Sequence, residues 1–183
     1  MDKKTEILNS AYKHFSKRGY NVSMSDIAKD VGIKTPSLYS HFTSKDEIIL
    51  IVIENEIERY CAFLEALYEK VGGKNWLDQI ETLFFSVVDY FKANDHIRFY
   101  RNILLIDQDD LRKKCSDKVY HMELFHLEKL EKVFPRDAEG NSLLFLSVIQ
   151  GALEVELLFY ESEQTAETYI TKIWRTYREN LGD

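Results

Sequence analysis

Glycine and proline are scarce in this chain, at seven and two of 183 residues. So few chain breakers exclude a turn-dense all-β fold and favour long, uninterrupted helices. Cysteine is scarcer than any disulfide scaffold needs. Cys61 and Cys115 form no CxxC pair and no metal-ligand spacing, so a reduced, cytoplasmic setting is expected. Near its front the chain has no long apolar run either. The opening MDKKTEILNS has no apolar stretch after its charges, so no secretory signal is expected. The run IILIVI at 48–53 is too short to cross a bilayer and lies between Glu47 and Glu54, so no membrane partner is expected. Internal repeats and low-complexity segments are likewise absent.

What is present is an ordinary globular composition, 45% hydrophobic and 30% charged, with 11 Tyr and 11 Phe. The net charge of −7 is unevenly spread. Residues 1–48 carry eight Lys/Arg against six Asp/Glu, so the acidity belongs to the remainder. A mildly basic head on an acidic body suits a protein that meets a polyanion at one end.

Apolar periodicity predicts an all-α chain of about nine helices. Ile7, Leu8, Ala11, Tyr12 and Phe15 mark the first, over residues 3–18, with Gly19 as its stop. Ser23 with Asp26 resembles a capping box for a short second helix that ends at Gly32. Thr35 is the expected N-cap of the third, with Pro36 at its first position, Leu38 and Phe42 inward and Tyr39 outward. Ser44 caps the longest helix, over about 45–70. Further helices are expected near 75–93, 95–105, 109–134, 141–161 and 165–181, the breaks falling at Pro135 with Gly140–Asn141 and at 163–165.

Two short helices joined at a glycine turn form a helix-turn-helix, whose second helix enters the DNA major groove. Around that helix stand Lys34, Thr35, Ser37, Tyr39, His41 and Lys45. Short hydroxyl side chains suit base edges; ammonium, phenol and helix-start N–H groups suit phosphates. The strings DIAKDVGI, LYSHF and SKDEI at this spacing resemble the DNA-binding region of the tetracycline-repressor (TetR) family. The motif covers about the first quarter of the chain. Members often carry Ser where Lys34 stands and Gly where Pro36 stands.

The resemblance implies a homodimeric repressor that reads a palindromic double-stranded DNA operator and is released by a small-molecule effector. It implies a DNA-binding domain over 1–47 and an effector-binding and dimerisation domain over 48–183. Lys34, Thr35 and Ser37 fall where base-edge or adjacent phosphate contacts lie in the family, and Ser23, Tyr39, His41 and Lys45 where phosphate contacts lie. The competing readings are an architectural or activating protein without an effector, and a helical ligand- or protein-binding module with a vestigial helix-turn-helix.

In the body, an aromatic-rich set offers lining for an apolar pocket. Its members are Phe84, Val88, Phe91, Phe99, Tyr100, Tyr120, Phe125, Phe145 and Ile149. The run at 142–160 is apolar around most of its circumference and needs burial on more than one side. Together with the last helix, and by the resemblance, it would form a four-helix bundle with a second copy. The expected contacts are Leu146, Ile149, Ala152, Leu153, Glu156, Phe159, Tyr160, Ile170, Ile173, Trp174 and Tyr177. Glu156, on the apolar side of that helix, needs a partner, and Lys172 or Arg175 of its own or the partner chain is expected unless it selects a cationic effector. No phosphate loop, nucleophile elbow or converging His pair is visible, so neither an enzyme nor a bound metal or cofactor is expected.

Overall fold

Caps and strained turns set the helix ends in the computed structural model, which describes residues 2–159 and 162–181 apart from the side chain of Asn94. Helix α1 (Lys3–Arg18) starts where the Asp2 carboxylate accepts from Thr5 N–H. It ends at Gly19, whose φ of +57° is a left-handed conformation that a Cβ disfavours. A 3₁₀ turn, Gly19–Asn21, leads to α2 (Met24–Asp30). Then follow α3 (Thr35–Leu38), α4 (Lys45–Val71), α5 (Trp76–Lys92), a second 3₁₀ turn (Ala93–Asp95) and α6 (His96–Leu104). The last three helices are α7 (Asp109–Leu130), α8 (Ala138–Leu158) and α9 (Glu163–Asn180). Nine α-helices and no strand are found among the described residues, so the all-α expectation holds.

The chain divides into two compact units, residues 1–61 with 98–122, and residues 62–97 with 123–183. Helices α4 and α7 each contribute to both. In the first unit, Ile7, Phe15, Ile27, Leu38, Ile48 and Ile53 are fully buried. Phe99 of α6 stacks on Tyr12, centroids 4.8 Å apart, and meets Phe15 edge-on at 5.2 Å. Burying side chains of this size contributes about 1.5–3 kcal/mol each, so α1 and α6 are anchored to one core.

The core of the second unit lies where α8 packs on α5 and α9. An aromatic chain runs through it. Phe84 stacks on Trp174 at 5.0 Å, Trp174 meets Tyr177, Tyr177 meets Phe145, and Phe145 meets Phe134.

Several boundaries differ from expectation, among them the break expected at 163–165, where α9 has already begun at Glu163. Helix α7 stops at Leu130 rather than near 134, where a turn (Val133 N–H to Leu130 O, 2.8 Å) tucks Val133 and Phe134 into the core. Helix α8 begins at Ala138, so Gly140 and Asn141 are helical rather than breakers. The break is made by Asp137, at φ +40°. Its carboxylate lies so close to Gly140 that a Cβ there would stand 2.5 Å from Oδ2.

Candidate nucleic-acid interface

The turn between α2 and α3 has the hydrogen bonding of a Schellman motif. Ile33 N–H donates to Ala28 O at 2.9 Å and Gly32 N–H to Lys29 O at 3.1 Å, with Gly32 at φ +69°. That turn delivers α3, a single helical turn continued by bonds from His41 and Phe42 N–H to Leu38 O. Leu38 and Phe42 are buried, which fixes the inward face.

The N-cap of α3 is Lys34, not Thr35. Lys34 is extended, and its carbonyl accepts from Ser37 and Leu38 N–H. Thr35 is the first helical residue, Pro36 occupies the second position, and no side chain caps the helix. The hydroxyl of Thr35 is therefore not consumed by the backbone.

Outside lies a set of side chains with nothing to do internally. Lys34, Ser37 and Tyr39 are exposed, and Thr35 and His41 are half-buried. No hydrogen bond or ion pair joins any of these five side chains to another described residue. Ser40 differs, because its hydroxyl bonds back to Ser37 O at 2.7 Å.

The two remaining expected contacts are engaged within the chain. Ser23 caps α2, accepting from Ser25 N–H at 3.2 Å and sharing a 2.6 Å bond with the Ser25 hydroxyl. The expected capping box with Asp26 does not form, since Asp26 pairs instead with Arg18. Lys45 donates to Tyr20 O at 2.9 Å, and its ammonium stands 3.7 Å from the centroid of the Tyr20 ring. The Tyr20 hydroxyl donates to Asp46 at 2.8 Å. Burial first, then that bond and the nearby carboxylates, push the Tyr20 phenol up to about 12. Tyr20 thus fixes the start of α4, a role that no sequence pattern marked.

The α4 start itself matches expectation. Ser44 Oγ accepts from Glu47 N–H at 3.1 Å, while the Glu47 carboxylate reaches back to Thr43. Those Thr43 bonds hold the Glu47 carboxyl below its usual range. Asp30 is held low in the same way, by His14 and then Ser10, which ties α1 to α2.

The nine expected pocket residues are shared between the two units. Phe99, Tyr100 and Tyr120 belong to the first unit and the other six to the second. Phe99 is spent on α1, and Tyr120 is 61% exposed. Phe84, Val88, Phe91, Phe145 and Ile149 are core residues and Phe125 is half-buried.

The expected dimer contacts divide along physical lines. Ile149, Ala152, Leu153, Ile170, Trp174 and Tyr177 are buried in the chain's own core, because α5 covers that side of α8 and α9. Leu146, Glu156, Phe159 and Ile173 are half-buried, and Tyr160 lies outside the described residues. No ion pair joins Glu156 to Lys172 or Arg175 of its own chain among the described residues. Glu156 pairs with Lys92 at the end of α5, 3.7 Å away, both being mostly buried. The uncovered apolar positions are others: Leu144 (51% exposed), Leu158 (76%) and Tyr169 (46%). They continue through half-buried Val148 and Val155 on α8 and Ile173 on α9. A surface groove of about 530 Å³ runs among Val148, Tyr169, Ile173 and Tyr177. The spacing 144, 148, 151, 155, 158 is a heptad stripe, and that spacing could have identified it from sequence. Helix α8 is also long and apolar enough to cross a membrane by length and composition.

Residues 7–52 match the family model described as bacterial regulatory proteins, tetR family. An uncharacterised HTH-type transcriptional regulator of Bacillus subtilis, YuxN, is 23% identical over 85% of this chain and 54% of its own length. The chain thus spans about half of that relative. The fatty acid metabolism regulator protein of Bacillus subtilis is 26% identical over 90% of this chain and 82% of its own. The crystal structure of the Bacillus subtilis transcriptional regulator FadR, solved with stearoyl-CoA, superposes with a TM-score of 0.75 at 13% identity, over 98% of this chain and 100% of that one. The shared fold is therefore helical throughout.

Proposed function

We infer that the chain is a member of the tetR family of bacterial regulatory proteins and a sequence-specific transcriptional regulator, most simply a repressor. The observation that carries this reading is the set of five polar side chains around α3 with no internal partner. Lys34, Thr35 and Ser37 would meet base edges, with Tyr39 and His41 on flanking phosphates. Lys45 would add a phosphate contact. Its ammonium is held on Tyr20 at the positive end of α4, with one of its three donors on Tyr20 O. Ser23 would act through the backbone at the start of α2, its hydroxyl being used for the cap. Nothing in this arrangement calls for catalysis, a cofactor or a metal, and a cytoplasmic protein fits a DNA partner.

A homodimer follows from the same reading. Two recognition helices must stand about 34–36 Å apart to enter successive major grooves of a palindromic operator. The uncovered heptad stripe of α8 with the outer face of α9 would supply that interface. Burial against a second copy accounts for the apolar outer side of α8 without a membrane. The DNA-binding role is assigned to residues 1–47, and effector binding and dimerisation to 48–183.

The effector would be a small apolar or amphipathic molecule held within the body, as relatives concerned with fatty acid metabolism suggest. Its binding must differ between the DNA-bound and free states to shift affinity. Helix α4 links the two compact units covalently and is the natural transmitter. The test is fluorescence anisotropy of the purified protein with DNA from upstream of its own gene at several salt concentrations. Nanomolar binding with a steep salt slope supports the reading; micromolar binding equal to that of unrelated DNA rejects it.

A further inference from the structure

A second-unit cavity of about 260 Å³ is lined by Trp76, Phe134, Pro135, Arg136, Asn141 and Leu181. We propose that this cavity is a binding site for small single-ring aromatic carboxylates, held against the Trp76 and Phe134 rings with the carboxylate on Arg136. None of the expected pocket residues or outer-face positions of α8 and α9 lines it, and the proposal does not depend on DNA reading.

The residues define the ligand class. Trp76, the first residue of α5, and Phe134 place their ring centroids 6.1 Å apart with planes tilted by 56°, so the two rings touch and a ligand ring packs against the pair rather than between them. Phe134 is buried and held from behind by Phe145, so one wall is rigid. Arg136 supplies the cation, and its planar fork matches a carboxylate in two-point geometry. Asn141 donates to Arg136 O at 2.8 Å, which ties the loop to α8. The adjacent carboxylate of Asp137 does not line the cavity, since it lies against Gly140. Arg136 is the one charged residue among the described residues that line the cavity, and a single cation beside aromatic surface favours a monoanion over a cation.

Size narrows the class further. At about 30 Å³ per water the cavity has room for roughly nine, below the range of about 300–1,000 Å³ usual for larger ligands. One ring with a carboxylate fills it, whereas a long acyl chain would project beyond it. Nearby hydrogen-bonding capacity is also unspent. The Ser142 hydroxyl, next to Asn141, and the Tyr177 hydroxyl, one turn before Leu181, are buried with no hydrogen-bond partner among the described residues.

The experiment is titration of ¹⁵N-labelled full chain with benzoate, following the indole N–H of Trp76, assigned by Trp76→Phe. Benzamide, the neutral isostere, is the comparison. Benzoate should shift the Trp76 signal saturably at millimolar or lower concentration, about tenfold more tightly than benzamide. Arg136→Gln should erase that preference, and Leu181→Trp, which fills the cavity, should abolish both responses. A Trp76 signal that does not move, or an undiminished benzoate preference in Arg136→Gln, overturns the site. Neither result bears on operator binding, which is read separately by anisotropy.

Discussion

The side-chain amide of Asn102 donates to the main-chain carbonyls of Phe15 and Ser16, at 2.8 and 3.0 Å. Those are carbonyls of the last turn of α1, where Phe15 O also accepts from the Gly19 N–H and the last carbonyls run out of helical donors. A residue of α6 thus caps the helix that opens the DNA-binding segment, and at Gly19 a Cβ would meet the Asn102 amide at 3.3 Å.

Replacing Asn102 with Ala should therefore destabilise the first unit by about 1–3 kcal/mol, the usual cost of leaving buried polar groups unpaired. Gly19→Ala should also destabilise, because φ is +57° there and the Asn102 side chain must give way. Urea unfolding of each variant gives the values. No loss for Asn102→Ala would mean that water replaces the amide without cost.

Lys45→Ala should weaken DNA binding about equally on all sequences and lower the salt slope by about one unit, as loss of one phosphate contact would. Because Lys45 also rests on Tyr20, the variant should lose some thermal stability even without DNA. An unchanged slope together with lowered stability would make Lys45 a structural residue only.

The outer face of α8 and α9 makes an assembly prediction. Gly151 is exposed within the heptad stripe, and nothing lies within 4 Å of a Cβ built there. Gly151→Glu and Ile173→Glu should yield folded monomers with lost operator binding in sedimentation and anisotropy. Ala152→Glu should instead fail to fold, since Ala152 is fully enclosed by its own chain. Dimers of undiminished affinity from both folded variants would relocate the interface.

Acid should act on the second unit through His126. Burial against Tyr68 lowers its pKa from 6.5 to about 4. The unfolded chain then binds a proton that the folded chain refuses, so stability falls as pH drops from about 6.5 towards 4. The depressed carboxylates Asp2, Asp30 and Glu47 add losses only below their ordinary values of 3.8, 3.8 and 4.5. His126→Phe should flatten the melting temperature between pH 7 and 5, where the native protein loses a few degrees. Parallel curves for the two proteins would remove His126 as the cause.

Local chemistry made much of this molecule legible from sequence. Gly19 and Gly32 stop helices where left-handed backbone is needed, Ser44 caps α4, and Leu38 and Phe42 point inward because helical period requires it. What failed was whatever depends on which helix covers which. The apolar circumference of α8 is visible in sequence, but α5 decides which side is already covered. Ile149, Ala152 and Trp174 were therefore expected at a dimer face and lie in the core. Glu156 pairs with Lys92 for the same reason. The Tyr20–Lys45 and Asn102–Phe15 links join residues 25 and 87 apart, with no periodic signal between them.

The central claim is that α3 reads DNA sequence, and the direct measurement is selection from a randomised duplex pool by the native protein and by a Lys34→Ala, Thr35→Ala, Ser37→Ala triple variant. The account predicts a palindromic site with half-sites one helical turn apart for the native protein, and a loss or change of base preference within each half-site for the variant. An unenriched pool, or the same site selected equally well by both, would contradict it.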